Sequence, residues 1–198
     1  MTPSERAAAL AALASGRVVA VATETFFGLL ADASSADAVA RVFDLKGRDA
    51  GKASALLVPD AERWRGWVRG VPPAAARLAS AFWPGPLSIA LDAAEGVDAR
   101  LVHEGRIAAR VPGPSDAASL VHAFGRAVTA TSANLAGQPP SVTADEVRRA
   151  FAAADDLLIV EGQAPGGAPS TVVVFDGERW SVARHGAITE SDLRRALG

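Results

Sequence analysis

RVVAVATETFFGLLAD, residues 17–32, places a short apolar run directly before a polar stretch. Residues 17–22 are apolar and rich in β-branched side chains, which predicts a buried strand. Two threonine hydroxyls and a carboxylate follow in TETFFG (23–28), and we interpret residues 23–32 as a turn or loop. Ligand sites in α/β sheets favour strand ends, so a small polar ligand could bind here. The alternative is an ordinary threonine-capped turn.

Helices and strands alternate irregularly on both sides of this stretch. Thr2-Pro3-Ser4-Glu5 predicts a capped helix that ends at Gly16. We predict further helices that start at Ser34 or Ser35 and end at Gly47, and at 72–82, 115–124, 143–151 and 189–197. Strands are predicted at 55–58, 87–92, 106–111, 127–131, 157–161, 170–175 and 180–183. The irregular order predicts an α/β fold (α+β in some schemes) with a mixed sheet flanked by helices.

The composition argues against disulfide-bonded, metal-binding, strongly basic and membrane-spanning proteins. A chain of 198 residues fits a single domain over 1–198. It has no cysteine, and its three histidines lack an H-x-x-x-H spacing, so we expect neither disulfides nor a metal site. The net charge of −2 argues against a strongly basic nucleic-acid binder. Without a long apolar run or a signal pattern, we expect a cytoplasmic protein with no membrane contact.

Two cations flank the expected end of a helix in KGR (46–48). Lys46 and Arg48 lie two residues apart, and an extended exit after Gly47 would let both approach one target. An arginine fork and a lysine point charge together suit phosphate. The alternative is a solvated helix end whose cations favour the C-terminal dipole.

Hydroxyls and arginines recur where other strands are predicted to end. Ser132 and Asn134 stand in TSAN (131–134) and could line a polar pocket. A serine nucleophile would need a histidine partner and a G-x-S-x-G turn, and neither is evident. Ser170, Arg110 and Arg184 occupy comparable positions, so a shared pocket is expected. There is no Walker A loop and no G-x-G-x-x-G motif.

Seven segments in this order resemble the YrdC family, the threonylcarbamoyl-AMP synthases. They are ATETFFGL (22–29), KGR (46–48), WPGPLS (83–88), AARVP (108–112), SANLAG (132–137), STVV (170–173) and RHGAI (184–188). Together they cover nearly the whole chain.

The resemblance implies a twisted mixed sheet, helices around it and a concave, positively lined pocket. It implies a nucleotidyltransferase that condenses L-threonine, bicarbonate and ATP, with Mg²⁺, into threonylcarbamoyl-AMP and pyrophosphate. The product would serve the N6-threonylcarbamoyl modification of adenosine-37 in tRNA, and other proteins would transfer it. The resemblance also implies that the extra C-terminal domain of longer relatives is absent.

Site residues follow from the same resemblance. Lys46 and Arg48 are expected to meet the triphosphate as catalytic residues, and we expect both to be exposed at the pocket. The nucleotide contacts it implies are Arg48, Lys52, Arg106, Ser132, Asn134, Ser141 and Arg184. Around threonine it implies Thr25, Arg110, the Ala130 backbone and Ser170, with Arg110 clamping the carboxylate.

Departures from the family pattern keep two alternatives open. Ala22 replaces the usual proline, and GKASALLV (51–58) departs most, with Leu57 where a histidine can touch threonine. The altered 51–57 stretch would favour a YciO-like paralogue of weak or different activity. The other alternative is an RNA-binding module that contacts tRNA or double-stranded RNA through phosphates, with a steep salt dependence.

Overall fold

A single mixed sheet organises residues 1–47 and 53–198, the parts of the chain that the computed structural model describes. Its strands are β1 (Val19–Ala22), β2 (Phe27–Leu30), β3 (Ala55–Leu57), β4 (Leu87–Asp92), β5 (Arg106–Arg110), β6 (Val128–Ser132), β7 (Leu158–Ile159), β8 (Thr171–Asp176) and β9 (Arg179–Arg184). The helices are α1 (Pro3–Ala14), α2 (Ala36–Lys46), α3 (Ala61–Arg65), α4 (Pro73–Phe82), α5 (Asp116–Phe124), α6 (Ala144–Ala150) and α7 (Glu190–Leu197).

The strand order across the sheet is β7-β1-β2-β6-β3-β5-β4-β8-β9. Three neighbouring pairs are parallel, namely β1 with β7, β3 with β5, and β4 with β8. The remaining neighbours are antiparallel. The predicted mixed sheet flanked by helices is therefore confirmed.

Strand β1 is buried on both of its faces, which explains why its sequence is apolar throughout. Val19 and Val21 pack into a cluster that includes Leu13 of α1 and residues of α5. Ala20 and Ala22 face the opposite way, into a cluster with residues of α2 and α6. Because both faces of the strand are covered, each position is buried and no polar alternation appears.

The predicted helix caps are present. Thr2 and Thr143 each form a capping box with the glutamate three residues later. Ser35 caps α2, and Gly47 ends that helix with φ 56°, a left-handed conformation that glycine adopts without strain. No helix in the described part of the chain is long and apolar enough to cross a membrane.

The prediction of a turn or loop throughout 23–32 is wrong in part. Strand β2 occupies Phe27–Leu30, is fully buried and pairs antiparallel with β1, so that 23–26 is the hairpin turn. Gly28 interrupts the apolar run at 26–31, and the polar residues 23–25 directly before it are typical of a turn, so the sequence does not mark the strand clearly. Helix α3 and a 3₁₀ turn at Ala99–Leu101 were not predicted either.

Candidate functional site

A cavity of about 810 Å³ opens on one face of the sheet. Its lining includes Ser88 and Ala90 of β4, and Arg106, Ala108 and Arg110 of β5. These residues are two apart in each strand, so they share one face, while the intervening residues of the same strands lie in the core. Small side chains between the polar ones leave room for a ligand.

Seven of the predicted site residues line this cavity. They are Thr25, Arg106, Arg110, Ala130, Ser132, Ser170 and Arg184. They come from the β1–β2 turn and from β5, β6, β9 and the residue before β8. The sheet therefore brings together side chains that are up to 159 residues apart in the sequence (184 minus 25).

Arg110 is the end residue of β5 and is largely buried. Its Nε donates to Glu24 Oε1 at 3.0 Å, and the side chains of the pair are only 8% and 12% exposed. Within residues 1–47 and 53–198, its two Nη atoms have no hydrogen-bond partner. The outer edge of the guanidinium thus presents two parallel donors, the arrangement that binds a carboxylate in a bidentate manner.

The threonine turn before β2 is built by its own hydroxyls. Thr23 Oγ accepts from the Thr25 N–H at 3.1 Å and donates to the Phe26 carbonyl at 2.8 Å. The Thr23 and Thr25 hydroxyls are 3.1 Å apart and hydrogen-bonded. Gly166 N–H donates to the Thr25 carbonyl at 2.7 Å, which ties the glycine-rich loop to this turn. The turn therefore holds the Thr25 side chain at the cavity.

Arg184 lies against Ser170 in the lining of the cavity. Its Nη2 donates to Ser170 Oγ at 2.7 Å, and its Nε donates to the Ser170 carbonyl at 3.0 Å. Ser170 Oγ is in turn hydrogen-bonded to Ser88 Oγ at 3.3 Å. Burial lowers the pKa of the Arg184 guanidinium, and the positive charge of Arg110 lowers it further. Two arginine charges that repel each other in the lining of one cavity favour the binding of an anion there.

Lys46 is buried rather than exposed, so the expectation of an exposed lysine at the pocket is wrong. Its side chain crosses from the end of α2 to β6, where Nζ donates to the carbonyls of Ser132 and Asn134 at 2.5 and 2.9 Å. Only 4% of Lys46 is accessible. The apolar stem packs inside the fold while the ammonium satisfies main-chain acceptors, a reason for burial that the sequence does not reveal.

Asn134 and Ser141 are also buried and lie outside the cavity lining. Asn134 Oδ1 accepts from Ser132 Oγ, and its Nδ2 donates to the Gln138 carbonyl at 2.6 Å. Ser141 Oγ donates to the Ala133 carbonyl at 2.7 Å. Both side chains thus shape the loop that presents Ser132.

Arg106 and Ala130 occupy different parts of the wall. Arg106 is held at the rim by the Phe175 carbonyl, at 2.8 Å from Nε, and by the Asp176 carboxylate, at 3.3 Å from Nη2. Ala130 lies in β6, paired with Ala55. The predicted residues Arg48 and Lys52 lie outside the described residues.

Two side chains of the site, Ser88 and Glu24, were not predicted from the sequence. Ser88 is 1% exposed and lines the cavity beside Ser170. The alternation in LSIALD, where Ser88 and Ala90 share a face, was a usable signal. Glu24 was noted only as part of TETFFG, and its ion pair with Arg110 spans 86 residues, so no local pattern could have indicated it.

Among the described residues, no group of three or more His, Asp or Glu side chains could hold a metal ion.

The chain is similar in sequence to proteins of known family. A family model for Sua5, YciO and YrdC, described as "Telomere recombination", matches residues 11–186. A threonylcarbamoyl-AMP synthase of Pyrococcus abyssi is 32% identical over 187 residues, which is 92% of this chain and 54% of that protein. One of Halorhodospira halophila is 38% identical over 153 residues, 76% of this chain and 80% of that protein.

A solved structure supports the same grouping. The crystal structure of P. abyssi Sua5 complexed with L-threonine matches with a TM-score of 0.90 and 30% identity. The match covers 98% of this chain and 57% of that one, so the chain spans little more than half of the Pyrococcus protein. From the extent of the family match and these likenesses, we conclude that the chain belongs to the Sua5/YciO/YrdC family.

Proposed function

We propose that this protein is an L-threonylcarbamoyladenylate synthase, which condenses L-threonine, bicarbonate and ATP into threonylcarbamoyl-AMP and pyrophosphate. The observation that carries the proposal is Arg110, whose two Nη atoms have no partner in the described residues and which lines the cavity beside two hydroxyl side chains. Relatives named threonylcarbamoyl-AMP synthase, and a Sua5 structure with L-threonine, share the family and fold.

The amino acid occupies the Arg110 side of the cavity in this proposal. Arg110 binds the substrate carboxylate with its Nη pair, while Thr25 and Ser170 provide hydroxyls for the substrate's polar groups. The main chain at Ala130 forms the adjoining wall. Leu30 and Leu57 add apolar surface to the same lining, which suits the methyl group of threonine.

The nucleotide occupies the rest of the cavity in this proposal. Ser132, Arg106 and Arg184 line the cavity there, and Arg48 and Lys52 complete the nucleotide contacts. Lys46, Asn134 and Ser141 do not line the cavity, but their hydrogen bonds hold the loop around Ser132 in place. The positive charges of Lys46 and Arg48 stabilise the triphosphate as charge develops on the leaving pyrophosphate.

The chemistry needs positioning and charge neutralisation rather than a protein nucleophile. The amine of threonine attacks bicarbonate, a nitrogen–carbon bond forms and water leaves, which gives a carbamate. A carbamate oxygen then attacks the α-phosphorus of ATP, and pyrophosphate leaves as the phosphorus–oxygen bond breaks. Mg²⁺ would enter with the ATP phosphates and water ligands, because the described residues offer no acidic metal cluster.

The product is proposed to serve threonylcarbamoylation of tRNA by other proteins. In a YciO-like paralogue the same cavity would bind nucleotide without threonine dependence. An RNA-binding module would need a basic surface, and the net charge of −2 gives no support for one. Affinity for tRNA that falls steeply with salt, in a protein without synthase activity, would favour that alternative.

Binding of the amino acid provides the test. Calorimetric titration of L-threonine into the purified protein, with and without ATP, should show saturable binding, and Arg110→Lys should weaken it. D-threonine is the matched control, because it carries the same groups with the wrong handedness and should bind poorly. Absence of L-threonine binding under both conditions would overturn the assignment of the Arg110 side of the cavity.

A further inference from the structure

Glu24 carries a largely buried carboxylate, with 12% of its side chain exposed, to which the proposed reaction assigns no role. Its Oε1 accepts from Arg110 Nε at 3.0 Å. Its other oxygen, Oε2, is buried and has no hydrogen-bond partner in the described part of the chain. A carboxylate oxygen left in this state is unfavourable, and native proteins contain few of them.

The stem of Glu24 lies in a slot walled by glycine. A β-carbon added at Gly113 would lie 3.3 Å from Glu24 Cγ and 3.5 Å from Gly85 Cα. Gly85 and Gly113 belong to the turns WPGP (83–86) and VPGP (111–114). The two turns therefore leave room for the Glu24 side chain where any larger residue at 113 would press on it.

Stability alone does not explain this arrangement. Buried ion pairs contribute little net stability, since desolvation of both charges offsets their attraction, and apolar replacements are often neutral or better. Here Oε2 of Glu24 also lacks a hydrogen-bond partner within residues 1–47 and 53–198. The pair does, however, fix the guanidinium plane of Arg110, because Nε is held by Glu24 while the Nη edge has no hydrogen-bond partner among the described residues.

We infer that Glu24 is a positioning residue that orients Arg110 for the substrate carboxylate, within a slot formed by the WPGP and VPGP turns. The inference rests on the proposed function for the identity of the substrate. The dependence of the Arg110 orientation on Glu24 does not require that substrate, and it can be measured separately in the ligand-free protein.

Steady-state kinetics test the positioning role. In Glu24→Ala, KM for L-threonine should rise about 10- to 100-fold, the effect of losing one hydrogen bond between charged groups. KM for ATP should stay unchanged. The isosteric Glu24→Gln, which keeps an acceptor but loses the charge, should give an intermediate rise and guards against misfolding. A merely structural role predicts lower thermal stability without a selective change in KM for threonine. Tighter threonine binding would also contradict the inference, since it would mean that Glu24 competes with the substrate.

Gly113→Ala perturbs Glu24 without removing any charge. Its added methyl group presses on the Glu24 stem, so KM for threonine should rise less than in Glu24→Ala but in the same direction. In the Glu24→Ala background the change at Gly113 should have little further effect, because Cγ is gone. Asp156→Asn is the control, since it breaks an exposed carboxylate–arginine pair with Arg41 and should leave both KM values unchanged.

The Arg110 Nε–H signal separates failure of this inference from failure of the proposed function. In ¹⁵N–¹H spectra of the ligand-free protein, assigned by its loss in Arg110→Lys, the signal should be protected from exchange in the wild type. It should exchange rapidly in Glu24→Ala. Protection in both proteins overturns the positioning role. The expected spectra together with no threonine dependence of wild-type activity would instead reject the proposed substrate.

Discussion

Replacing Lys46 by methionine should destabilise the fold as well as reduce nucleotide turnover. Methionine has a similar length and fills the same apolar path, but it cannot donate hydrogen bonds. The wild-type ammonium donates to the main-chain carbonyls of Ser132 and Asn134, and to Asn134 Oδ1 at 3.3 Å. All of these acceptors would lose their charged partner in the variant.

The magnitude follows from the number and the burial of these contacts. A hydrogen bond to a charged group contributes roughly 1.5–3 kcal/mol, and an acceptor left unsatisfied adds its own penalty. Removal of a buried charge returns part of its desolvation free energy. We therefore expect Lys46→Met to lose about 3 kcal/mol of unfolding free energy, a fall in Tm of roughly 6–12 °C for a chain of this size.

Urea unfolding followed by circular dichroism gives the measurement, with equal m-values required before midpoints are compared. Arg65→Met is the matched control, because this arginine also lies in the last turn of a helix but is 59% exposed, in an ion pair with Glu62. It should change stability by about 0.5 kcal/mol or less. If Lys46→Met proves as stable as the wild type, the reasoning about its buried contacts is refuted.

Three further predictions concern other parts of the structure. Arg110→Lys should raise KM for L-threonine about tenfold or more, because a point charge replaces two parallel donors; an unchanged KM would exclude a bidentate clamp. Gly186→Ala should lose about 3 kcal/mol or more of stability in thermal unfolding, because its β-carbon would lie 2.2 Å from a backbone carbonyl oxygen. Gly70→Ala, which meets nothing within 4 Å, is its control, and equal melting of the two variants would count against the clash. Arg100 lowers the pKa of Asp98 below its ordinary 3.8, so the pair stabilises the fold above that pH and loses this effect in acid. The stability gap between wild type and Asp98→Asn should therefore close as pH falls below about 3.8, and a gap independent of pH would contradict the ion pair.

The helix ends were predictable because their signals are local. Thr2, Ser35 and Thr143 cap helices through side chains that bond within three residues, so sequence spacing alone identifies them. Most strands were predicted for a similar reason, since their apolar runs are continuous. Strand β2 was not, because its strand character depends on pairing with β1 and β6.

The identity of many cavity-lining residues could be predicted from the sequence, but the burial and the pairing of the side chains around them could not. Motifs place Thr25, Arg110 and Ser170 in order along the chain, and the sheet brings them to one cavity. The burial of Lys46 and the pairing of Glu24 depend on contacts with residues 86 or more positions away. Such contacts are set by tertiary packing, which no local pattern encodes.

Pyrophosphate release from ATP and Mg²⁺, measured with and without L-threonine and bicarbonate, tests the proposed function most directly. Mass spectrometry of the products identifies the adenylate in the same reaction. The proposed function predicts release that requires both co-substrates and a product with the mass of threonylcarbamoyl-AMP. Release that is independent of threonine, or nucleotide binding with no release, would contradict it and favour a paralogue of different activity.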